Sequence, residues 1–409
     1  MWRSGRVLPL VSRHLTTRRF ERGRNGEPHK ERKRTGVIQA QPDIVLFGNL
    51  KIGGGKGRCV ANLIPVWDRL GIKVQILGYR DAQLFHPEEF PDSLGFLHLG
   101  TRERLPTLFR LWRYLRKVQP KAVLARHHAD NVLIAAAGRL PGVHSRIVVE
   151  ARNNYVASVR GGKGKQRKKM AQIRRFYPWA DALIGASQGV ARDLREAAKL
   201  WELPGYSIPN TTITPSLFEQ GQEAVDHPWL QEGATPVVLS VARFAPQKDL
   251  PTLLKAVAKA RQSRPLRLIM LGKGPEKEAI QQEVRRLGLE EVVAMPGHVS
   301  NPYAWMARAD LLALSSAWEG SPNVLIEALA LGTPVVSTDC PSGPAEILEN
   351  GRYGRLVPVG DSSALAEAIC RSLDHPLDFD RDEATRPYTV EHAAPRYLDV
   401  LLPGKERPA

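Results

Sequence analysis

LLALSSAWEGSPNVLIEALALGTPVVST, residues 311–338, reads as strand, loop, helix and strand in that order. The runs LLALSS and PVVST are short and apolar, as strands buried on both faces are. Ser321 suits the N-cap of the helix between them and Pro322 its first position, while Gly332 followed by Thr333-Pro334 suits its stop. A strand joined through a helix to another strand makes a parallel βαβ unit, and a parallel sheet needs helices on both faces. A doubly wound α/β fold is therefore expected.

The same alternation extends in both directions. Before the quoted stretch stand the strand PVVLSVA (236–242), a helix over 250–261, LRLIMLG (266–272), a helix over 276–287 and VVAMPG (292–297). Further upstream, DIVLFGN (43–49) leads through a Gly-rich loop to a helical run and KVQILGY (73–79). The helix LFRLWRYLRKV (108–118) and the strands KAVLA (121–125), RIVVEA (146–151), DALIGAS (181–187) and YSIPN (206–210) follow. Residues 214–235 mix Pro, Gly and polar residues, the composition of a linker. The expected organisation is a structureless basic tail over 1–36, a first domain over 37–213, a linker over 214–235 and a second domain over 236–385. A helix over 386–409 would return to the first domain. A chain of 409 residues suits such a division, and a ligand site is expected in the cleft, where strands end.

A hydrophobic fraction of 43% against 25% charged residues is that of a folded protein, which sets aside disordered and fibrous classes. Cys59, Cys340 and Cys370 are scattered with no CxxC pair, so no zinc site or disulfide framework is signalled and a reducing compartment fits. The net charge of +17 is concentrated: residues 1–34 carry +8, and residues 160–175 carry another +8 with no acid. Two basic patches on a chain otherwise near neutrality point to an anionic surface. They lack the aromatic interleaving of RNA-binding modules, so no nucleic-acid partner is expected. No run approaches the ~18–20 apolar residues that span a bilayer. The Arg-rich N-terminus reads as a basic tail or an upstream start, with an organelle transit peptide as the alternative.

The chemistry is concentrated around the quoted stretch. A helix N-terminus entering the cleft suits a phosphate, and Gly320 allows close backbone approach. Glu319 and Glu327 lie eight positions apart; carboxylates repel phosphate, so beside an anionic ligand they should face hydroxyls on its two sides, a sugar and a ribose. The alternative is a turn residue and an ordinary helix-surface glutamate. Arg243 and Lys248, in VARFAPQKDL after the strand 236–242, offer a fork and a point charge to a diphosphate. LGKGP supplies Gly272 and Gly274 at another strand end.

EGSPNVLIEALALGTPVVSTDCPSGPAEIL, VARFAPQKDL, LGKGP and MPGHVSNPYAWMARADLLALSS together resemble glycosyltransferase family 4, enzymes of the GT-B architecture with two facing Rossmann-like domains. The resemblance runs from about residue 43 to 402, strongly in the second half and loosely in the first. It implies a nucleotide-sugar co-substrate, UDP-linked by first choice, no other cofactor, and metal-independent transfer that retains anomeric configuration. By that similarity Arg243 and Lys248 would hold the diphosphate, Glu327 the ribose and Glu319 the transferred sugar. The backbone of Gly320, Ser321, Pro322 and Asn323 would approach sugar and phosphate, and Gly297, His298 and Val299 would flank the base. Ser321 stands where the family often has an aromatic residue. GGGKGR (53–58) resembles the family's Gly-Gly loop, with Gly54 and Gly55 near the donor phosphates; it is neither a dinucleotide fingerprint nor a Walker loop.

On the acceptor side, Arg126, His127 and His128 should project into the cleft, with His127 taken as the catalytic histidine and a surface-loop histidine as the alternative. Arg152 and Asn153 of VVEARNN are expected beside them. Lys163, Lys165, Arg167, Lys168, Lys169, Arg174 and Arg175 would dock on an anionic membrane, where each contributes ~1 kcal/mol. The expected enzyme is a hexosyltransferase, cytoplasmic and peripheral on the inner face of the cell membrane, with a glycolipid, polyprenyl-linked saccharide or surface polysaccharide as acceptor. A sugar-nucleotide hydrolase, phosphorylase or epimerase shares the fold and is the runner-up. Asp378, Asp380 and Asp382 form a DxD-like run read as solvated linker.

Overall fold

The computed structural model describes residues 16–19, 32–35, 41–49, 51–52, 58–80, 83–84, 90–160, 164–231 and 233–404. The first domain is built on seven parallel strands: β1 (Ile44–Gly48), β2 (Val74–Gly78), β3 (Gly95–His98), β4 (Ala122–Ala125), β5 (Arg146–Ala151), β6 (Ala182–Gly185) and β7 (Gly205–Ser207), in the order β7-β6-β5-β4-β1-β2-β3. The second has β8 (Val237–Val241), β9 (Arg267–Leu271), β10 (Val293–Gly297), β11 (Leu311–Leu314), β12 (Val335–Thr338) and β13 (Arg355–Val357), in the order β10-β9-β8-β11-β12-β13. Both sheets are doubly wound: the chain leaves the first strand to one side and returns on the other. The reversal opens a crevice at the carboxyl ends of β1 and β4, and of β8 and β11.

Each sheet is buried on both faces, which is why its strands read as unbroken apolar runs rather than alternating ones. The helices that matter below are α1 (Leu63–Arg69), α2 (Arg104–Val118), α3 (His128–Gly138), α4 (Lys165–Phe176), α5 (Gln188–Ala198), α6 (Asn323–Leu331) and α7 (Val390–Leu401). The last, α7, packs on the first domain although it follows the second. Trp67 on α1 donates its indole N–H to the Ala394 carbonyl at 3.2 Å, and Arg146 at the start of β5 donates to the Val400 carbonyl at 2.7 Å.

Two expectations are corrected and a third is refined. Residues 214–235 are more than a linker: Pro215–Gln222 is a helix whose Leu217 is buried in the second domain's core. The DxD-like run is exposed, as expected of a solvated connection, and its Asp380 also caps a short helix, the carboxylate accepting from the amides of Asp382 and Glu383. Within the basic tail, Thr16–Arg19 and Arg32–Thr35 pair as an antiparallel ladder; the rest of 1–36 lies outside the described residues.

Candidate active site

The side on which a donor is expected is assembled from two strand-end turns. After β8, buried Phe244 anchors the turn and leaves Arg243 exposed. Gly272 (φ +144°) and Gly274 make this turn possible: a Cβ on them would lie 1.8 Å from the Ala242 carbonyl oxygen and 2.1 Å from that of Phe244. The absence of a side chain at both glycines thus serves loop packing beneath Arg243, a role the sequence did not reveal. After β11, Glu319 is buried, and Lys248 places its Nζ 2.5 Å from Glu319 Oε1. The Ser316 hydroxyl donates to the same oxygen at 2.6 Å, and the Ser315 hydroxyl donates to the Lys248 carbonyl at 2.8 Å. Ammonium and carboxylate, expected to face phosphate and sugar separately, thus lie in direct contact.

Pro322 is the N-cap of α6, so the helix begins later than the expected Ser321 cap implies. The extended ψ of Pro322, 102°, sets the boundary, and its missing N–H is no loss there. The Ser321 carbonyl and Asn323 Oδ1 instead accept from the Asn210 amide at 3.2 and 2.6 Å. Gly320 does serve a close approach, but to the first domain: a Cβ there would lie 2.1 Å from the Arg152 carbonyl oxygen. Glu327 is buried in α6, while His298 is exposed beyond Gly297 (φ +92°) and Val299 packs at the edge of the core. Gly54 and Gly55 lie outside the described residues.

The acceptor side departs further from expectation. Arg126 does not project into the cleft: it is buried under it, donating to both carboxylate oxygens of Glu150 at 2.6 and 3.1 Å. Burial pulls the guanidinium down, and the Glu150 charge more than restores it, so Arg126 stays a cation. Arg152 at 3.2 Å and the Tyr397 hydroxyl of α7 at 3.3 Å complete the ring around Glu150. Arg152 also reaches Cys59 Sγ at 3.2 Å. Burial pushes the Cys59 thiol up to about 11 and that of Cys340, near Glu319, up to about 12, so both are inert as nucleophiles. Of the two histidines, His127 is exposed at the cleft end of α3. His128 turns inward to Gln172 of α4 at 3.0 Å, and burial lowers it to about 4. Asn153 is exposed beside Gly320.

The basic run is divided. Arg167 and Lys168 are exposed, but Lys169 is drawn over the Tyr155 ring at 3.7 Å, and burial lowers its ammonium to about 8. Arg174 donates to the Ala197 carbonyl, and Arg175 lies over Trp179. Lys163 and the side chain of Lys165 lie outside the described residues.

Sequence reasoning missed the contacts that close the cleft. The Glu346 carboxylate of the second domain accepts from the first two amides of α5, Gln188 at 2.7 Å and Gly189 at 2.8 Å, capping a helix of the other domain. Beside it, the Asn154 amide donates to the Ser342 hydroxyl at 2.8 Å. A cap of this kind contributes ~0.5–2 kcal/mol. Glu346→Ala is expected to lower kcat roughly 10-fold by favouring the open form, with a larger radius of gyration in solution scattering. An unchanged radius would remove the latch role.

Also missed is Asp130 in α3. It accepts from the Tyr79 hydroxyl at 2.5 Å, and burial raises it to about 6. A raised carboxyl adds stability that is complete below its unfolded value and lost as pH climbs to the folded one. Asp130→Asn should therefore abolish a loss on the order of 2 kcal/mol between pH 4 and 6, measured as the difference in urea midpoint between the two proteins.

Residues 53–210 match the family described as Glycosyltransferase Family 4, and residues 235–375 that described as Glycosyl transferases group 1. A Campylobacter jejuni enzyme, N-acetylgalactosamine-N,N'-diacetylbacillosaminyl-diphospho-undecaprenol 4-alpha-N-acetylgalactosaminyltransferase, is 27% identical over 78% of this chain and 87% of its own. The lipopolysaccharide 1,6-galactosyltransferase of Salmonella typhimurium is 31% identical over 88% of this chain and 95% of its own. A Methanocaldococcus jannaschii relative is matched over 62% of its length. Among solved structures, Anabaena HepE in complex with UDP and glucose superposes with a TM-score of 0.68 at 20% identity, covering 88% of this chain and 99% of that one, and shares the GT-B fold. With both halves matched in order and a relative above 30% identity aligned over nearly its full length, the chain belongs to glycosyltransferase family 4.

Proposed function

We propose that this glycosyltransferase moves a hexose or N-acetylhexosamine from a UDP-sugar to a lipid-linked saccharide of lipopolysaccharide or surface-polysaccharide assembly, with anomeric retention and without a metal ion. The observation that carries the reading is the contact of Lys248 with buried Glu319 at the head of α6, with Arg243 exposed on the same turn. A diphosphate approaching this turn meets two cations and the positive end of a helix, while the carboxylate beside them accepts from sugar hydroxyls. In the reaction the bond from the sugar carbon to the diphosphate breaks with its electrons on the phosphate oxygen; the acceptor hydroxyl forms the new bond and releases its proton. Arg243 and Lys248 stabilise the charge that develops on the leaving group, and electrostatic stabilisation of this kind is the main source of rate in such a site. Glu327 would bind the ribose, and His127 lies on the acceptor side of the cleft.

Support for the substrates comes from the relatives. The Campylobacter enzyme's name specifies a diphospho-undecaprenol acceptor, the Salmonella enzyme's a lipopolysaccharide, and the Anabaena structure contains UDP and glucose. Among the described residues no helix is long and apolar enough to cross a membrane, and we place the enzyme peripherally on the cytoplasmic face of an anionic membrane.

The test is a thermal-shift panel of UDP-, GDP- and ADP-sugars, followed by NMR of the product formed in the presence of EDTA. A UDP-sugar at ~100 times its Kd should stabilise the protein by ~2.7 kcal/mol, and the product should keep the donor's anomeric configuration. Stabilisation by no nucleotide sugar would sink the reading, and free sugar as sole product would favour a hydrolase.

A further inference from the structure

Helices α2 and α4 flank α3 on one face of the first sheet: both pack against α3, and Leu111 of α2, Ile134 of α3 and Ile173 of α4 share one core layer. Their outer faces differ. On α4, the exposed side chains Arg167 and Lys168 are basic, with Ala171 beside them. On α2, Leu105 is 78% exposed and Phe109 is 57% exposed. They stand one turn apart on the same stripe, and the Trp112 ring lies against Phe109 at 5.6 Å between centres. The core needs neither of them, since α2 faces the sheet with Thr107, Leu111 and Leu115. Trp112 donates its indole N–H to the Pro141 carbonyl, just past the end of α3, so the apolar stripe leans toward α3 and the basic helix beyond it.

The charges decide what covers this stripe. Arg104 and Arg113 are exposed on α2, and Arg167 and Lys168 across α3. Lipid phosphates complement all four at once, whereas a second copy of this chain would bring like charge to like. Leu and aromatic side chains between arginines are the composition of a helix that lies in a bilayer interface. We infer that α2 and α4 form a single docking face for an anionic bilayer, in which Leu105 and Phe109 of α2 enter the acyl boundary while the basic side chains of both helices hold headgroups. The basic run alone is half of that face, since Lys169 is turned inward. The apolar pair sits in the first two turns of α2, which follow the carboxyl end of β3, the end at which β4 delivers His127. An acceptor tethered in the membrane thus reaches the cleft without leaving it. This last point rests on the lipid-linked acceptor proposed above.

The experiment compares the full chain with the double variant Leu105→Ser/Phe109→Ser in flotation with vesicles of phosphatidylcholine, with and without phosphatidylglycerol. The variant should partition onto phosphatidylglycerol vesicles at least ~10-fold more weakly than wild type, while its thermal shift with the UDP-sugar stays unchanged. Arg167→Gln/Lys168→Gln should remove much of the salt-sensitive part of wild-type binding. Equal partitioning of the apolar variant and wild type would overturn the inference, as would a wild-type protein indifferent to phosphatidylglycerol. So would a wild-type dimer in sedimentation that the apolar variant dissociates, because a second copy would then cover the stripe. Vesicle-bound wild type that glycosylates only water-soluble acceptors leaves the docking face standing and refutes the acceptor reading instead.

Discussion

Lys248→Ala should lower kcat/KM for the nucleotide sugar by about 10²–10³-fold, mostly through kcat, because in the proposed reaction the charge on the departing diphosphate facing Lys248 is larger in the transition state than in the bound donor. The same substitution removes the cation 2.5 Å from buried Glu319, leaving that carboxylate with Ser316 and a 3.4 Å contact from Gln247. Loss of fold and loss of chemistry must therefore be separated. Lys248→Ala/Glu319→Gln no longer buries an unpaired charge, so its thermal midpoint should recover toward wild type while its turnover does not. Lys248→Arg keeps the charge but brings a planar fork in place of a compact ammonium, and should recover only part of the rate. Full activity in Lys248→Ala, measured as steady-state transfer from the donor identified by thermal shift, would remove this residue from the leaving-group role.

Glu150→Ala should cost about 3–5 kcal/mol of stability, the effect of stranding a buried cation. Arg126 has no solvent to turn to: its side chain is 4% exposed and that of Glu150 is 1% exposed. The carboxylate also joins three elements, since Arg152 beyond β5 and Tyr397 on α7 both meet it. The midpoint of thermal unfolding should fall by roughly 10 °C, and activity should fall with it because the Arg152 backbone is the surface on which Gly320 rests. Arg126→Met/Glu150→Leu exchanges the pair for apolar volume and should recover most of the lost stability. If Glu150→Ala melts like wild type, the ring contributes nothing to the fold.

The architecture and the clustering of Arg243, Lys248, Glu319 and Glu327 were legible because their determinants are local. Strands buried on both faces read as apolar runs, and a parallel sheet needs a helix between successive strands; the linear order of such runs therefore specifies two doubly wound sheets before any contact is known. Arg243 and Lys248 lie in one turn, and Glu319 and Glu327 flank the start of one helix, so their proximity follows from a strand-loop-helix geometry that spacing can express. Even there, the direct contact of Lys248 with Glu319 spans 71 positions and depends on β8 and β11 being neighbours in the sheet.

What only the tertiary structure decided lies between elements that the chain separates widely. Glu150 and Tyr397 are 247 positions apart, Asn154 and Ser342 are 188 apart, and Gln188 and Glu346 are 158 apart. No periodicity encodes how two domains approach, so nothing in the sequence singles out Glu346, and Glu150 reads only as part of an acceptor-side segment. Arg126 was misplaced for the same reason: following a strand end brings a residue to the cleft, but a buried carboxylate on the next strand drew its side chain beneath the floor. Leu105 and Phe109 stand out only once the packing of α2 identifies which of its apolar residues the core leaves uncovered. Sequence specifies which side chains are apolar or charged along the chain; three-dimensional packing determines which of them end up against protein and which against solvent.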